Sequence, residues 1–157
     1  MGGASTVRVE DQLCFAVYAA SNAVVRTYRP LLRDLGLTYP QYLALMVLWE
    51  DDGLSVRQVA DRLQLPANAL TPLLVRLEQL GFLSRVRDPR DGRIVRARLT
   101  SAGRRLEVRA AAVQQQVVCR TGLDDVSLAA LRTQLRSLAD HMAASASLKD
   151  PIEGDTA

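Results

Sequence analysis

Two thiols and four phenols are the groups in this chain best suited to chemistry. Cys14 and Cys119 are its only cysteines, too far apart for a CxxC redox motif or a zinc knuckle. As intracellular cysteines, each has a bland reading as a small buried hydrophobe. The neighbours of Cys14 argue for more. Tyr18 lies one helical turn further on, on the same face. Cys14 falls near the start of an apolar helical repeat, where the helix dipole favours an anion. Phenolic hydrogen bonds and a helix N-terminus both favour thiolate, the form that attacks a peroxide. Tyr28, Tyr39 and Tyr42 sit at the far end of that helix or just beyond it. Fourteen residues of straight helix separate Cys14 from Tyr28 by about 21 Å, so the two cannot touch within one continuous helix. They can touch across a dimer whose first helices run antiparallel. The competing reading makes Tyr18, Tyr28 and Tyr39 ordinary amphipathic core residues.

The second feature is charge. Between Arg85 and Arg105 lie eight arginines against Asp88 and Asp91, a net +6, whereas the 157-residue chain as a whole is only +3. The rest is therefore net acidic, and the basic charge is local. A focused positive patch attracts a phosphate backbone, although a solvated hairpin that avoids edge pairing would also carry charge.

The elements that position these groups follow from periodicity. Apolar residues at Val56, Val59, Ala60 and Leu63 predict a short helix, and Leu65 to Asn68 break it. Leu70, Leu73, Leu74, Leu77 and Leu80 predict a second helix, stopped by Gly81. Phe82 to Val86 and Ile94 to Leu99 flank a Pro-, Asp- and Gly-bearing segment, which predicts a two-stranded hairpin with a long tip. Two short helices and a hairpin make a winged helix-turn-helix, the second helix sized for a major groove and the wing for the neighbouring minor groove. Within it, Asn68 and Thr71 open the recognition helix, where side chains meet base edges, and Pro72 leaves the helix start undetermined. Arg76 follows about one turn later, suited to a base or a phosphate. Ser55 and Arg57 open the preceding helix and are expected on phosphates.

Outside that segment the chain reads as long helices. Asp11 to Leu35 repeats with helical period, with a kink or break expected at Pro30. Thr38-Tyr39-Pro40-Gln41 reads as a capping box opening a helix through Trp49. Thr100 to Gly103 caps another helix running to about Arg120, and Asp125 or Ser127 starts the last, through Leu128, Leu131, Leu135, Leu138 and Met142. The expected fold is mainly α, with about six helices and a two-stranded wing. Residues 11–36 and 101–147 form a helical dimerisation region, and 37–100 a DNA-binding region. A flexible arm (1–10) and tail (148–157) complete the chain. The terminal helices have apolar stripes without a partner inside so small a winged domain, so an intertwined homodimer is expected, matching a palindromic DNA site. With 48% apolar residues, few aromatics and no run approaching a membrane span, the chain reads as cytoplasmic. No cofactor or metal ligand set is expected, and His141 reads as a surface residue.

The order of helices, the DPRDGR wing and the LTSAG helix start resemble the MarR-type winged-helix regulators over nearly the whole chain. More narrowly, LCFAVYAASNAVVRTYRPLLRDLGLTYPQYLALMVLWE is similar to the organic-hydroperoxide-sensing branch, the OhrR repressors. The resemblance implies a dimeric repressor that leaves DNA when Cys14 is oxidised by an organic hydroperoxide. It also implies that Tyr28 and Tyr39 reach the reactive cysteine from the partner subunit. Cys119 matches the second cysteine of the two-cysteine members, which implies an intersubunit disulfide with Cys14 that a cellular thiol or dithiol reverses. Asp91-Gly92-Arg93 matches the family's Asp-x-Arg wing tip, implying that Arg93 enters the minor groove with Asp91 orienting its guanidinium; Arg90 competes for that role. Two other classes stay open. One is a ligand-gated repressor of the same fold, with Tyr18, Tyr28, Tyr39 and Trp49 lining a pocket for a phenolic or aromatic acid. The other is a thiol peroxidase. No Ser-His-Asp constellation, P-loop or metal cluster points elsewhere.

Overall fold

The computed structural model describes residues 7–147. The expected flexible tail, 148–157, and the first six residues of the expected arm lie outside the described residues. The described part of the arm runs into a short 3₁₀ turn, Val9–Asp11.

Helix α1 spans Leu13–Arg33, α2 Tyr39–Glu50, α3 Val56–Arg62 and α4 Ala67–Gln79. Strands β1 (Leu83–Arg87) and β2 (Val95–Leu99) follow, then α5 (Ser101–Arg120) and α6 (Asp125–Ser147). The chain divides into two compact units between Val117 and Val118. This is the expected inventory of six helices and a two-stranded wing.

Local chemistry explains the boundaries. Thr38 and Gln41 form a reciprocal capping box at α2, and Ser55 and Gln58 form one at α3, each satisfying two otherwise orphaned backbone donors. Gly81, at φ +77°, ends α4. The Phe82 N–H reaches back to the Leu77 carbonyl at 3.0 Å and the Gly81 N–H to Glu78 at 2.9 Å, a Schellman closure that needs the left-handed residue. Phe82 is thus spent on ending a helix, and β1 starts one residue later than periodicity predicts. α6 begins at Asp125, and the Asp124 carboxylate caps it by accepting from the Ser127 N–H at 2.7 Å.

Of the kink or break expected at Pro30, the break is absent. α1 runs unbroken through that residue. Proline removes one backbone donor near the helix end, and the buried Leu32, fully covered two residues later, ties that last turn to the core.

The core of the first unit is aliphatic. Leu32, Leu45, Leu48, Val59, Leu70, Leu74, Leu77 and Leu83 are essentially inaccessible. α2 lies at its centre, with Tyr42, Ala44, Leu45, Val47 and Leu48 all buried, as expected of a helix that is apolar all round. β1 and β2 pair antiparallel, Leu83 opposite Leu99 and Arg87 opposite Val95. A bridge between Ser55 and Arg96, with the Ala97 N–H bonded to the Leu54 carbonyl at 2.9 Å, stitches the wing to the start of α3. Large apolar side chains nevertheless remain open. Leu13, Phe15, Val17 and Val24 on α1 are exposed, and on α6 so are Val126, Leu131, Leu135 and Met142.

Candidate nucleic-acid interface and cysteine site

α4 presents Asn68 and Thr71 three residues apart, both exposed on one face of its first turns. The helix starts at Ala67, and Pro72 sits inside it. The Thr71 hydroxyl donates to the Ala67 carbonyl at 3.1 Å. Arg76 lies about 140° round the helix from Thr71, exposed and bonded to Gln79 at 3.2 Å, so it flanks the Asn68–Thr71 face. Ser55 is occupied: its Oγ accepts the Gln58 N–H at 3.2 Å as the α3 cap. Arg57, the second residue of α3, is exposed.

The wing tip is organised by a residue that sequence reasoning did not single out, Asp88. Its Oδ1 accepts the Arg90 N–H at 2.8 Å and the Asp91 N–H at 3.2 Å. Its Oδ2 is paired with the Arg96 guanidinium, and its side chain is only 10% exposed. The Arg96 guanidinium, with the two backbone donors, holds the Asp88 carboxyl below the usual carboxylate range. Its place ahead of Pro89 is the signal that was available, since aspartates in turns bond their own following backbone. At the end of this turn, Asp91 holds Arg93: Oδ1 accepts the Arg93 backbone N–H at 3.0 Å and Nε at 3.1 Å, and Oδ2 accepts Nη2 at 3.2 Å. The Arg93 side chain is 91% exposed. A pair this open contributes little stability; what it does is aim the guanidinium. Arg90 is exposed, and among the described residues its side chain has no acid partner.

The charge of the segment is distributed unevenly. Arg85 donates through its backbone and Nε to Glu78, at 2.8 and 2.9 Å. Arg104 is paired with Asp52, which also accepts the Leu99 N–H at 2.8 Å. Together with Arg93 and Arg96, four of the eight arginines are therefore tied to carboxylates.

Cys14 is the second residue of α1, exposed and unbonded, and Tyr18 stands one turn on, 65% exposed. Tyr28 and Tyr39 form a separate cluster together with Tyr42, the third phenol expected at that end of the helix but not counted among the sensing residues. Ring centroids lie 5.2 Å apart for Tyr28–Tyr39, 5.4 Å for Tyr28–Tyr42 and 6.4 Å for Tyr39–Tyr42. Burial raises all three phenols above their usual pKa; for Tyr28 a hydrogen bond from Tyr42 pulls the other way. Phenols so raised stay protonated at neutral pH and remain donors. α1 being continuous, about 21 Å of helix separates Cys14 from Tyr28 of the same chain. Cys119, exposed and unbonded, is the penultimate residue of α5 and belongs to the second unit.

The aromatic pocket of the ligand-gated reading is not assembled as expected. Trp49 lines an open cavity of about 320 Å³ with Tyr42, Met46, Glu50 and Glu107. Tyr39 lines a different one, of about 450 Å³, with Arg29 and Arg33. Tyr18 lines neither, being near the start of α1. Among the described residues no cluster of three or more His, Cys, Asp and Glu is placed to hold a metal ion, and no helix is long and apolar enough to cross a membrane. His141 is exposed on α6, against Ser137.

A sequence profile of the MarR family matches residues 35–94. The HTH-type transcriptional regulator TtmR of Methylorubrum extorquens is 46% identical over 138 residues, covering 88% of this chain and 71% of that protein. The organic hydroperoxide resistance transcriptional regulator of Bacillus subtilis is 38% identical over 132 residues, covering 84% and 90%. Among solved structures, reduced AbfR bound to DNA superposes with a TM-score of 0.70 at 32% identity, covering 86% of this chain and 94% of that one. CouR of Rhodococcus jostii bound to p-coumaroyl-CoA superposes with a TM-score of 0.74 at 27% identity, covering 85% and 96%.

Proposed function

This chain belongs to the MarR family of winged-helix transcriptional regulators, and from that premise we propose that it is a homodimeric repressor released from operator DNA by organic hydroperoxide. The observation that carries the reading is the pairing of an exposed Cys14 at the start of α1 with a cluster of phenols, Tyr28 and Tyr39 half-buried around the buried Tyr42, that the unbroken helix keeps out of its own reach. Two antiparallel α1 helices bring Cys14 of one subunit to Tyr28 and Tyr39 of the other. The apolar side chains left open on α1 and α6 support such a dimer. On DNA, Asn68 and Thr71 face base edges and Arg93 enters the minor groove. Arg57, Arg76 and Arg90 lie on phosphates, together with the Ser55 hydroxyl, which keeps its proton free to donate.

The redox step is a thiol oxidation. The Cys14 thiolate attacks the distal oxygen of the hydroperoxide, the O–O bond breaks, and the alcohol leaves with a proton, giving Cys14 sulfenic acid. The thiol of Cys119 in the partner then displaces water from that sulfenic acid to form the intersubunit disulfide, which a cellular dithiol reduces. The similarity to the Bacillus subtilis hydroperoxide regulator supports this reading. The relatives are regulators and lend a thiol-peroxidase reading no support. Gating by a phenolic acid is the second reading, favoured by the fold shared with CouR; the cavity at Trp49 carries Glu50 and Glu107, which repel an acid, whereas the cavity at Tyr39 carries Arg29 and Arg33, which attract one.

The test is a non-reducing gel and a DNA gel shift run in parallel on peroxide-treated protein. Wild type becomes a covalent dimer, reversed by dithiol, and releases DNA. Cys14→Ser stays on DNA. Cys119→Ser is oxidised at Cys14 without forming the cross-link. Release that persists in Cys14→Ser overturns the redox reading and leaves ligand gating.

A further inference from the structure

We propose that Trp49 is the positioning residue that couples the tyrosine cluster to the wing, through its indole N–H on the Gly103 carbonyl and the packing of Gly103 on Phe82. The proposal deepens the hydroperoxide reading above and rests on it.

The geometry on the wing side leaves no slack. Trp49 Nε1 donates to the Gly103 carbonyl at 2.9 Å, joining residues 54 apart in the chain. Gly103 lies in the first turn of α5 with its backbone against the Phe82 carbonyl, so close that a β-carbon at 103 would stand 2.0 Å from that oxygen. The same carbonyl accepts the Thr100 N–H at 3.1 Å. The Thr100 hydroxyl donates to the Gly81 carbonyl at 2.6 Å and accepts the Gly103 N–H at 3.1 Å. Gly81 and Phe82 are also the residues that close α4 and lead into β1. A displacement of Gly103 is therefore handed at once to the end of the recognition helix and the base of the wing, because close-packed backbone transmits strain instead of absorbing it.

On the sensor side, Trp49 meets Tyr42 edge-on, ring centroids 6.2 Å apart and planes at 63°. Tyr42 is 2% exposed and touches Tyr28 and Tyr39, the phenols assigned to the partner's Cys14. Trp49 and Tyr42 sit two turns apart on the same helix, α2. The contacts thus run without a gap from the phenols to the wing. The two states this path distinguishes are phenols bonded to a thiolate and phenols released when that sulfur is oxidised; coupling requires such a bistable element and not mere adjacency.

Trp49 is the only tryptophan in the chain, so wild-type protein reports on it directly. The experiment follows three quantities during titration with cumene hydroperoxide: Cys14 oxidation by thiol trapping and mass spectrometry, release of a duplex selected in vitro by the reduced protein, and the indole ¹H–¹⁵N resonance. The resonance is expected to shift in step with Cys14 oxidation in wild type and to stay fixed in Cys14→Ser. Trp49→Phe keeps the ring and removes the N–H. It is expected to bind the duplex when reduced within threefold of wild type and to be oxidised at the wild-type rate. Its ratio of oxidised to reduced Kd is expected to fall at least tenfold. An indole resonance that does not move while Cys14 is oxidised and DNA is released overturns the coupling and leaves the sensing intact. An unchanged Kd ratio in Trp49→Phe does the same. Absence of Cys14 oxidation overturns both proposals.

Discussion

Gly103→Ala sets two effects of opposite sign against each other. Alanine exceeds glycine in helix propensity by up to about 1 kcal/mol, so propensity alone makes the substitution stabilising. The contacts say otherwise. The new β-carbon would lie 2.0 Å from the Phe82 oxygen, 3.0 Å from its carbonyl carbon and 3.3 Å from a Leu99 methyl. The nearest atom is backbone, pinned by the Thr100 N–H, and cannot rotate away. Non-bonded carbons prefer about 3.5–4.0 Å, so α5 must lift from the wing base by roughly 1 Å or more. Overpacking of this kind costs about 1–3 kcal/mol. The lift also strains the Thr100–Phe82 and Trp49–Gly103 hydrogen bonds, at about 1 kcal/mol each. After subtracting the propensity gain, a destabilisation of about 2–4 kcal/mol is expected. Urea unfolding followed by circular dichroism measures it, at one fixed protomer concentration because a dimer's stability depends on concentration. A variant as stable as wild type, or more so, refutes the close approach.

Three shorter predictions follow. Arg93→Ala is expected to weaken operator binding about tenfold or more, one groove contact being about 1–3 kcal/mol, with an unchanged Tm because the side chain is exposed; a gel shift and a melting curve check it. Tyr39→Phe is expected to slow hydroperoxide oxidation of Cys14 by about tenfold or more through the loss of one charge-assisted hydrogen bond, at about 1.5–3 kcal/mol, with reduced-state DNA affinity unchanged, as read by stopped-flow thiol trapping. The Asp88 carboxyl is expected to titrate below about 3.9 by ¹³C NMR, being held down by Arg96 and two backbone donors. Because its folded pKa is the lower one, the stability it lends is full above the unfolded value and disappears as pH falls through the folded one. The gap between wild type and Asp88→Asn is therefore present near neutrality and closes in acid.

The local signals in the sequence were the dependable ones. The Thr38 capping box and the Gly81 stop are decided within four residues, and each stands where periodicity and turn chemistry put it; the Ser55–Gln58 box is just as local but reads in sequence only as a helix start. The helix continues past Pro30 because the buried Leu32 holds the turn in place, a contact that local sequence does not show whereas the cost of proline is visible there. The same limit hid Trp49–Gly103 and Asp52–Leu99, hydrogen bonds spanning 54 and 47 residues. Tyr42 was visible in the sequence only as a phenol near Tyr39; that it is core and bridges the phenols to Trp49 depends on packing. Counting arginines located the basic segment, yet the count carried nothing about which of them face a carboxylate.

That last point bears on how the wing would meet DNA. Log affinity falls with log salt at a slope of about −0.9 for each phosphate a protein neutralises, because condensed counterions are released. Eight free arginines would predict a slope near −7 for one winged head. Four of them already carry an acidic partner, so the slope expected from the segment is nearer −4. On the proposed docking, Arg93 would enter the minor groove already paired with Asp91, and so would add less to the release of counterions than a free arginine. Raising the salt would thus loosen the protein's grip on DNA at large while sparing much of the wing tip's share, and selectivity among sequences would sharpen as overall affinity declines.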